Sequence, residues 1–477
     1  MSKVKAKNNL YKFVEVKHLF TQLLPIPVQS KNDQLIPFIS CRKFSSFSRR
    51  SWKQTYIADS ETNNGLSRLD SLNPEFLKWF VGFSDAEANF LINSSLKNGI
   101  VNKFIFRFTI ALHLDDSRVL EHIQEVLQIG KVYYYDKVYF HVTRQEDIKK
   151  LIMIFNKYPL NSIKQLNYLS FKEAFEFYIS ELDSYSTTIS KVEKINEYKS
   201  SMNKKRVDYN IPNRKFNISF SWLLGFIEGD GSFWVDRRDY QLGFSIGQLA
   251  VDIDLLNRLK DYFNSMIKYS DLNNIEIGNE SIKRDVVNLN NNEEDKFKVI
   301  NLTILSYDFL KDIFIPNFDL VTFLSKKGKD YQDWKIVLRL KEKGLQYTDE
   351  GKEVLDLILN RMNSNRLSSS IKNVNIEKDS SILDLRIKNL LEGPSNYEII
   401  GGRTFIKSLN RFRSVSKSTN VNLLDENRKL IQTFPSLAAC ARYLEVSGST
   451  VYKYVNNNNP LKIKSSKKIF YVEKSDE

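Results

Sequence analysis

The stretch FVGFSDAEANF, Phe80 to Phe90, returns as LLGFIEGDGSF, Leu223 to Phe233. Each copy reads as an apolar helix rich in small residues that ends in acids, and aligning the two sets Glu87 over Asp230. Gly82 and Ala86 in the first copy, and Gly225 and Gly229 in the second, are four residues apart and so share one helical face. Glycine inside a helix costs roughly 0.5 to 1 kcal/mol relative to alanine, so two such faces need a compensating contact, most simply each other. The pattern predicts a two-helix seam at which the backbones approach closely. Side by side, the helices bring Glu87 and Asp230 together at their C-terminal ends, where the macrodipole is already negative and a second carboxylate is repelled. Such a place invites a divalent cation. Its oxygen ligands suit a hard ion such as Mg²⁺, which activates water and stabilises charge on a phosphate under in-line attack.

The two segments resemble the LAGLIDADG homing endonucleases, in their single-chain, two-motif, intron-encoded form. The resemblance implies an α+β protein of two pseudo-symmetric αββαββα repeats, a double-strand DNA endonuclease with one essential acid per motif. Those acids fall on Glu87 and Asp230, at the motif's eighth position, as the expected Mg²⁺ ligands; Asp85 and Glu228 match its sixth. Ala88 departs from the usual glycine, which Gly231 supplies in the second copy. The repeat extends further, since KQLNYLSFK (Lys164 to Lys172) matches KGKDYQDWK (Lys327 to Lys335) with Lys, Asn/Asp, Tyr, Phe/Trp and Lys at equal offsets. In the resembled family a basic residue near this place and a polar residue on the strand after each motif assist catalysis. The nearest counterparts are Lys164, Lys327 and Gln248. Gln248 has the apolar parity of Ile246, so aiming it into a site requires a bulge or a strand end.

Around the first motif the local signals are orderly. Asn73 and Pro74 supply an N-cap and a first-turn proline. Phe104, Phe106, Phe108, Ile110 and Leu112 alternate in period two beyond a turn at Asn98-Gly99; a helix opened by Asp115 and Asp116 runs to a stop at Gly130; a second hairpin turns near Asp136-Lys137. Parity then assigns a polar, basic and aromatic face, with Lys97, Arg107, Thr109, His113, Tyr133, Tyr135, Tyr139 and His141 as candidate DNA contacts. Trp234 and Arg238 are their candidates on the second repeat. Such β-ribbons suit a DNA groove, where side chains meet base edges and phosphates.

The whole chain of 477 residues has 71 Lys and Arg against 57 Asp and Glu, and a net charge of +14 points to a polyanionic partner. No run of about 18 apolar residues occurs, so no transmembrane helix is expected, and the expected partners do not include a membrane. Two cysteines, Cys41 and Cys440, exclude a disulfide framework and paired-cysteine zinc spacing. The four histidines form no HExxH pattern, and neither a P-loop nor a GxSxG elbow is present.

The reading divides the chain into an N-terminal extension (1–72), repeat 1 (73–185), a linker (186–214), repeat 2 (215–365), a second linker (366–418) with one short helix near Leu383 to Leu391, and a helix-turn-helix-like module (419–465). The extension carries a basic, serine-rich run, CRKFSSFSRRSWK, which fits an organellar transit segment or the leader of an intron-encoded protein. Ser270 to Lys298, rich in Asn and mixed charge, reads as an inserted loop or long hairpin. In the last module a helix from Ser436 to Leu444 meets a turn and a second helix from Ser449, and a small helical DNA-binding unit would read DNA through Ser449, Thr450, Tyr452 and Lys453. The expected partner is a double-stranded DNA target site bound by a monomer with internal pseudo-twofold symmetry, and the expected location is the mitochondrion. The alternative partner is group I intron RNA, with the chain serving as a maturase alone or as a second activity.

Overall fold

A computed structural model describes residues 71–180, 189–211, 214–272, 287–289, 298–370, 376–413, 420–434, 436–444, 446, 448–457, 459–462 and 469–475. The N-terminal extension, apart from its last two residues, and most of the 270–298 insertion lie outside them. The chain forms two compact units, 1–396 and 397–477.

In the first unit, helix α1 (Pro74–Glu87) starts where Asn73 accepts the Glu75 amide at 2.8 Å, with Pro74 in its first turn. Strands β1 (Ala88–Lys97) and β2 (Ile100–Leu112) turn at Asn98 and Gly99, both at positive φ. Helix α2 (Ser117–Leu127), strands β3 (Lys131–Tyr134) and β4 (Val138–Val142), and helices α3 (Gln145–Lys157) and α4 (Lys164–Ser180) follow. α2 ends earlier than expected: Gln128 adopts the left-handed conformation that closes it, and Gly130 lies in the loop beyond. The strand order is β1-β2-β4-β3, all antiparallel. Phe104, Phe106, Phe108 and Ile110 are buried against the helices and alternate with a more open face, as period two requires.

The second repeat redraws this plan. Helix α6 (Phe220–Asp230), capped by Ser219, leads into β5 (Gly231–Val235), β6 (Leu242–Leu249), α7 (Ile253–Leu272), β7 (Val287–Leu289) and β8 (Val299–Ile304), in the order β5-β6-β8-β7. A helical run over 307–318 and helices α8 (Lys327–Glu342) and α9 (Asp349–Asn360) complete it. The duplication reaches single hydrogen bonds. Tyr168 donates to Ile152 O and Asn156, and Tyr331 to Ile315 O and Asp319. Asn203 donates to Phe90 O, and Asn363 to Phe233 O, each at 2.9 Å from a left-handed backbone. Residues 186–214 are therefore more than a linker: they hold helix α5 (Ile189–Ser200) and the Asn203 clasp, which belong to the repeat.

One continuous core runs through both repeats, and its centre is the crossing of α1 with α6. A Cβ on Gly82 would stand 1.9 Å from the Trp222 carbonyl oxygen, and one on Gly225 would stand 2.1 Å from that of Trp79. Backbone meets backbone at both points, so nothing flexible gives way.

The described residues of the second unit form two small antiparallel sheets. Residues read as linker form β9 (Tyr397–Ile400), β10 (Arg403–Ile406) and β11 (Arg411–Phe412), after a longer helix than expected, α10 (Ile376–Glu392), that closes the first unit. The two anticipated helices are present as α11 (Leu437–Tyr443) and α12 (Gly448–Asn457). They pack on a four-stranded sheet of β12 (Val421–Leu424), β13 (Leu430–Phe434), β14 (Leu461–Lys462) and β15 (Ile469–Lys474) that the helical reading did not include. Ala441, Leu444 and Val451 sit in its core with Val421, Leu423 and Val472, and the free Cys440 thiol is buried there, its pKa pushed up to about 11.

Gly82→Ala and Gly225→Ala are expected to destabilise the first unit by about 2 to 3 kcal/mol or more each, measured by chemical denaturation. Gly448→Ala, with nothing within 4 Å of the added carbon, is expected to be neutral or slightly stabilising. Near-neutral behaviour of either seam variant would refute the close crossing.

Candidate active site and nucleic-acid interface

The seam is held by an exchange of hydrogen bonds between the repeats. Asp85 accepts from Asn161 N (2.8 Å), from Ser162 N (2.9 Å) and Oγ (2.6 Å), and from the Trp222 indole of the opposite helix (2.8 Å). Glu228 does the same with Leu324 N, Ser325 N and the Trp79 indole. Each acid thus grips the loop that starts the lysine-bearing helix of its own repeat, and the tryptophan of the other. Desolvation raises both carboxyl pKa values, and the hydrogen bonds oppose the rise. Asp116 and Asp252 add a second exchange, accepting the amides of Lys326 and Ile163 respectively, each in the other repeat.

Glu87 and Asp230 are the last residues of α1 and α6. A Cβ on Gly229 would lie 2.3 Å from Ala86 Cβ and 3.1 Å from Glu87 Cγ, so the second helix presses bare backbone against the first acid. The Ala88 departure is harmless to this geometry. Ala88 and Gly231 follow their helices with nearly the same extended backbone, φ −81° and −74°, which any residue adopts.

Three of the anticipated neighbours gather round the acids. The Lys164 ammonium donates to Ala86 O at 2.9 Å and to Ser84 O at 3.3 Å, closing the end of α1. Burial lowers its pKa, and Asp230, Asp85, Glu87 and Asp252 pull it back up. Lys327 is half-buried and lends positive potential to both Glu87 and Asp230. Gln248 donates to Asp230 Oδ2 at 2.6 Å. No bulge is needed: β6 runs past the start of β5, and the side chain meets the end of α6 there. The registers Ala88↔Ile110 and Gly231↔Ile246 put Leu112 at the equivalent place in repeat 1, so the two acids have unequal support.

Burial, followed by the Glu87 charge, pushes the Asp230 carboxyl up to about 6 against the pull of Lys164, Gln248 and Lys327. Burial likewise raises Glu87, opposed by Lys164 and Lys327. Two hard oxygen donors whose ionised forms repel each other fit a divalent cation, which would relieve that repulsion. Among the described residues no cluster of three or more His, Cys, Asp or Glu is placed to enclose an ion. The donor set therefore fits a cation that keeps most of its ligands as water or phosphate oxygens, as Mg²⁺ does. A cavity of about 420 Å³ opens beside Glu87, lined also by His113, Asp116, Ser232, Lys327 and Arg366.

The open face of the first sheet carries the aromatic and basic residues expected of it. Tyr133, Tyr135, Tyr139 and His141 form a chain of ring contacts 5.4 to 6.4 Å apart. Arg107 Nε, Thr109 Oγ1 and His141 Nδ1 are buried with no hydrogen-bond partner among the described residues, and burial and Arg107 lower the His141 pKa. Lys97 is exposed at the hairpin tip. His113 departs from the expectation. It lies past the strand, its Nδ1 accepting the Asp115 amide and its Nε2 3.0 Å from Ser369 Oγ, because the chain bends there into a short 3₁₀ turn. In repeat 2, Trp234 covers Gly243 across the hairpin, and Arg238 is exposed and paired with Asp236. In the second unit Tyr452 and Lys453 are exposed and Thr450 half-buried; the Ser449 side chain lies outside the described residues. The tryptophan–carboxylate exchange escaped the sequence reading. Its one signal was that Trp79 and Trp222 stand at the same offset from the two motifs.

The sequence profile of the LAGLIDADG endonuclease matches residues 80–175 and again 223–338, and that of the NUMOD1 domain matches 419–455. The "Uncharacterized mitochondrial protein RF1" of Saccharomyces cerevisiae is 29% identical, over 85% of this chain and 84% of its own length. The "Probable intron-encoded endonuclease Cox1-I1b" of Schizosaccharomyces pombe is 34% identical, over 40% of this chain and 50% of its own length. Among solved structures, that of the LAGLIDADG meganuclease I-CpaMI bound to uncleaved DNA shares the fold, with a TM-score of 0.50 and 24% identity over 60% of this chain and 99% of that one.

The raised Asp230 pKa has a stability consequence of definite sign. Its carboxyl is protonated in both folded and unfolded chains at low pH, and its ionisation in the folded state opposes folding as pH rises through about 6. Asp230→Asn is therefore expected to stabilise the metal-free protein by about 1 to 3 kcal/mol above pH 7, with no gain below about pH 4. Denaturation curves across pH measure this, and a gain independent of pH would refute the assignment.

Proposed function

The chain belongs to the LAGLIDADG endonuclease family, and from that premise we propose that it is a site-specific double-strand DNA endonuclease of the intron-homing type, acting as a monomer in the mitochondrion. One observation carries the reading. The seam that joins the repeats brings Glu87 and Asp230, one from each motif, to the same place, with the Lys164 ammonium in electrostatic reach of both.

Glu87 and Asp230, once ionised, would hold Mg²⁺. The ion would supply Lewis-acid stabilisation of the phosphate and activation of water. The chain's own groups do the rest. Gln248 fixes the orientation of the Asp230 carboxylate by donating to one oxygen. Lys164 and Lys327 supply positive charge beside a phosphate that becomes more negative in the transition state. Their positions come from the loops that Asp85 and Glu228 hold.

Duplex DNA lies along the two sheets in this reading. Lys97, Arg107, Thr109, Tyr133, Tyr135, Tyr139 and His141 face one half-site, and Trp234 and Arg238 the other. The buried polar atoms of Arg107, Thr109 and His141 that find no partner among the described residues support an interface that a ligand completes. His113 belongs with the cavity beside Glu87. Joined but unlike repeats suit an asymmetric target, which a homodimer of identical halves does not. Helix α12, with Ser449, Thr450, Tyr452 and Lys453, adds contacts to flanking DNA.

The test is incubation of the purified protein with duplex DNA spanning the uninterrupted host site and Mg²⁺. Wild type is expected to cut both strands. Glu87→Gln and Asp230→Asn are each expected to lower double-strand cutting by about 10² to 10³-fold, the scale for losing one transition-state electrostatic contact. Nicks left by the two variants are expected on opposite strands. Absence of cutting by wild type, together with tight binding of the group I intron RNA, would replace this reading with the maturase.

A further inference from the structure

We propose that the three-stranded sheet β9–β11 is a separate duplex-DNA contact, a basic ribbon that enters a groove outside the two half-sites. It lies beyond both stretches matched by the endonuclease profile and before the NUMOD1 match. The choice of partner class rests on the duplex-DNA reading above; the surface itself stands on its own geometry.

Charge is the first observation. Residues 397–477 hold 14 Lys and Arg against 7 Asp and Glu, so this unit carries half of the chain's net +14. In the sheet and the chain directly joined to it, Arg403, Lys407, Arg411 and Arg413 are all exposed. Among the described residues none of the four has an acidic partner, whereas Arg237, Arg238, Arg386 and Arg428 are each paired with a carboxylate. Arg403 instead lies over the Phe412 ring at 4.5 Å, and Phe405 packs edge-on against the same ring. Exposed arginine on exposed aromatic is a poor surface for a solvated linker and a good one for a nucleic acid.

Register is the second. Phe405 stands opposite both Glu398 and Phe412, and Arg403 opposite Ile400, so Arg403 shares a face with the two rings. Arg411 stands opposite Ile406, and the Arg413 amide donates to Thr404 O, which puts Arg411 and Arg413 on the other face. A membrane surface or an acidic protein patch calls for cations on one face. A ribbon inside a DNA groove has phosphates along both walls and calls for cations on both.

The tip is the third. Gly401 and Gly402 turn the β9–β10 hairpin at φ +55° and +73°, and nothing lies within 4 Å of a Cβ built on either. The leading edge is therefore bare backbone with Arg403 next in line, narrow enough for close approach to a groove floor.

The experiment measures the full chain's affinity for a random-sequence duplex as a function of salt. Replacing Arg403, Arg411 and Arg413 together by alanine is expected to make the log–log salt slope shallower by about 2 to 3, and each single substitution by about 0.9, since one released counterion accompanies each lost phosphate contact. The Arg→Lys triple variant is expected to keep the wild-type slope. Arg428→Gln, whose guanidinium already pairs with Glu473, is expected to keep it too. An unchanged slope in the alanine variants overturns the proposal, as does an equal loss in Arg428→Gln. So does a loss confined to binding of phosphatidylserine vesicles or of single-stranded RNA. Cleavage of the host-site duplex is scored on the same preparations. A shallower slope in a protein that never cuts upholds this surface while removing the endonuclease reading.

Discussion

The first unit depends on a crossing where two helix backbones touch. At Gly82 and Gly225 the carbonyl of the opposite tryptophan occupies the space a side chain would need. Contact this close removes water from the seam, and the carboxylates of Asp85 and Glu228 are buried with it. An unpaired buried carboxylate would cost several kcal/mol. Here each is surrounded by amides, a hydroxyl or an indole, and charge-assisted hydrogen bonds contribute about 1.5 to 3 kcal/mol apiece. The indoles come from the opposite repeat, so neither helix satisfies its acid alone. Separating the repeats would take one hydrogen bond from each carboxylate and leave two indole N–H groups without their acceptors, and that makes the crossing both close and specific.

The same exchange positions the chemistry. Asp85 and Glu228 accept the amides just ahead of Lys164 and Lys327, at the N-terminal ends of helices where negative charge is favoured. A single carboxylate therefore sets helix separation and lysine position together. Glu87 and Asp230, two residues further along, emerge where the helices end, and their burial is the main reason both pKa values rise. The halves are not equivalent. Asp230 has Gln248 as a donor, while Glu87 faces a cavity and the apolar Leu112. The same strand order with different side chains at matched positions is what a duplicated chain permits and a homodimer does not.

The two motif helices, the succession of strands in the first repeat and the pairing of acids are legible in the sequence, because each follows from a periodicity or a matched offset. Gly82 over Gly225 is a spacing; Phe104 to Ile110 is an alternation. Side chains whose role depends on where the chain bends were not legible. His113 follows the strand parity in sequence, yet the backbone leaves the sheet one residue earlier and turns the ring into a cap. Gln248 has helix-side parity, which looked unfavourable only because the overhang of β6 beyond β5 is set by pairing length. Helix α5 does not show in the sequence because Val192, Ile195 and Tyr198 make too sparse an inward stripe to stand out as a helical period. Strands β9 to β13 span two to five residues each, too short for alternation to stand out, and Gly401-Gly402 marks a hairpin tip as readily as a flexible joint.

Charge distribution separates the two units by a different logic. In the first, several arginines are committed to carboxylates: Arg214 to Asp252, Arg361 to Asp333 and Asp384, Arg366 to Asp330 and Asp333. Those pairs are mostly buried and serve the fold, since a guanidinium taken out of water needs its carboxylate. In β9–β11 the arginines are exposed and lack such partners among the described residues, and only a short apolar layer lies beneath them. Stability gives no reason to place four cations on so small a sheet, because their mutual repulsion opposes folding. A polyanion reverses the sign of that term, turning an unfavourable cluster into released counterions and net attraction. The feature that weakens this sheet as an isolated structure is the one that suits it to bind.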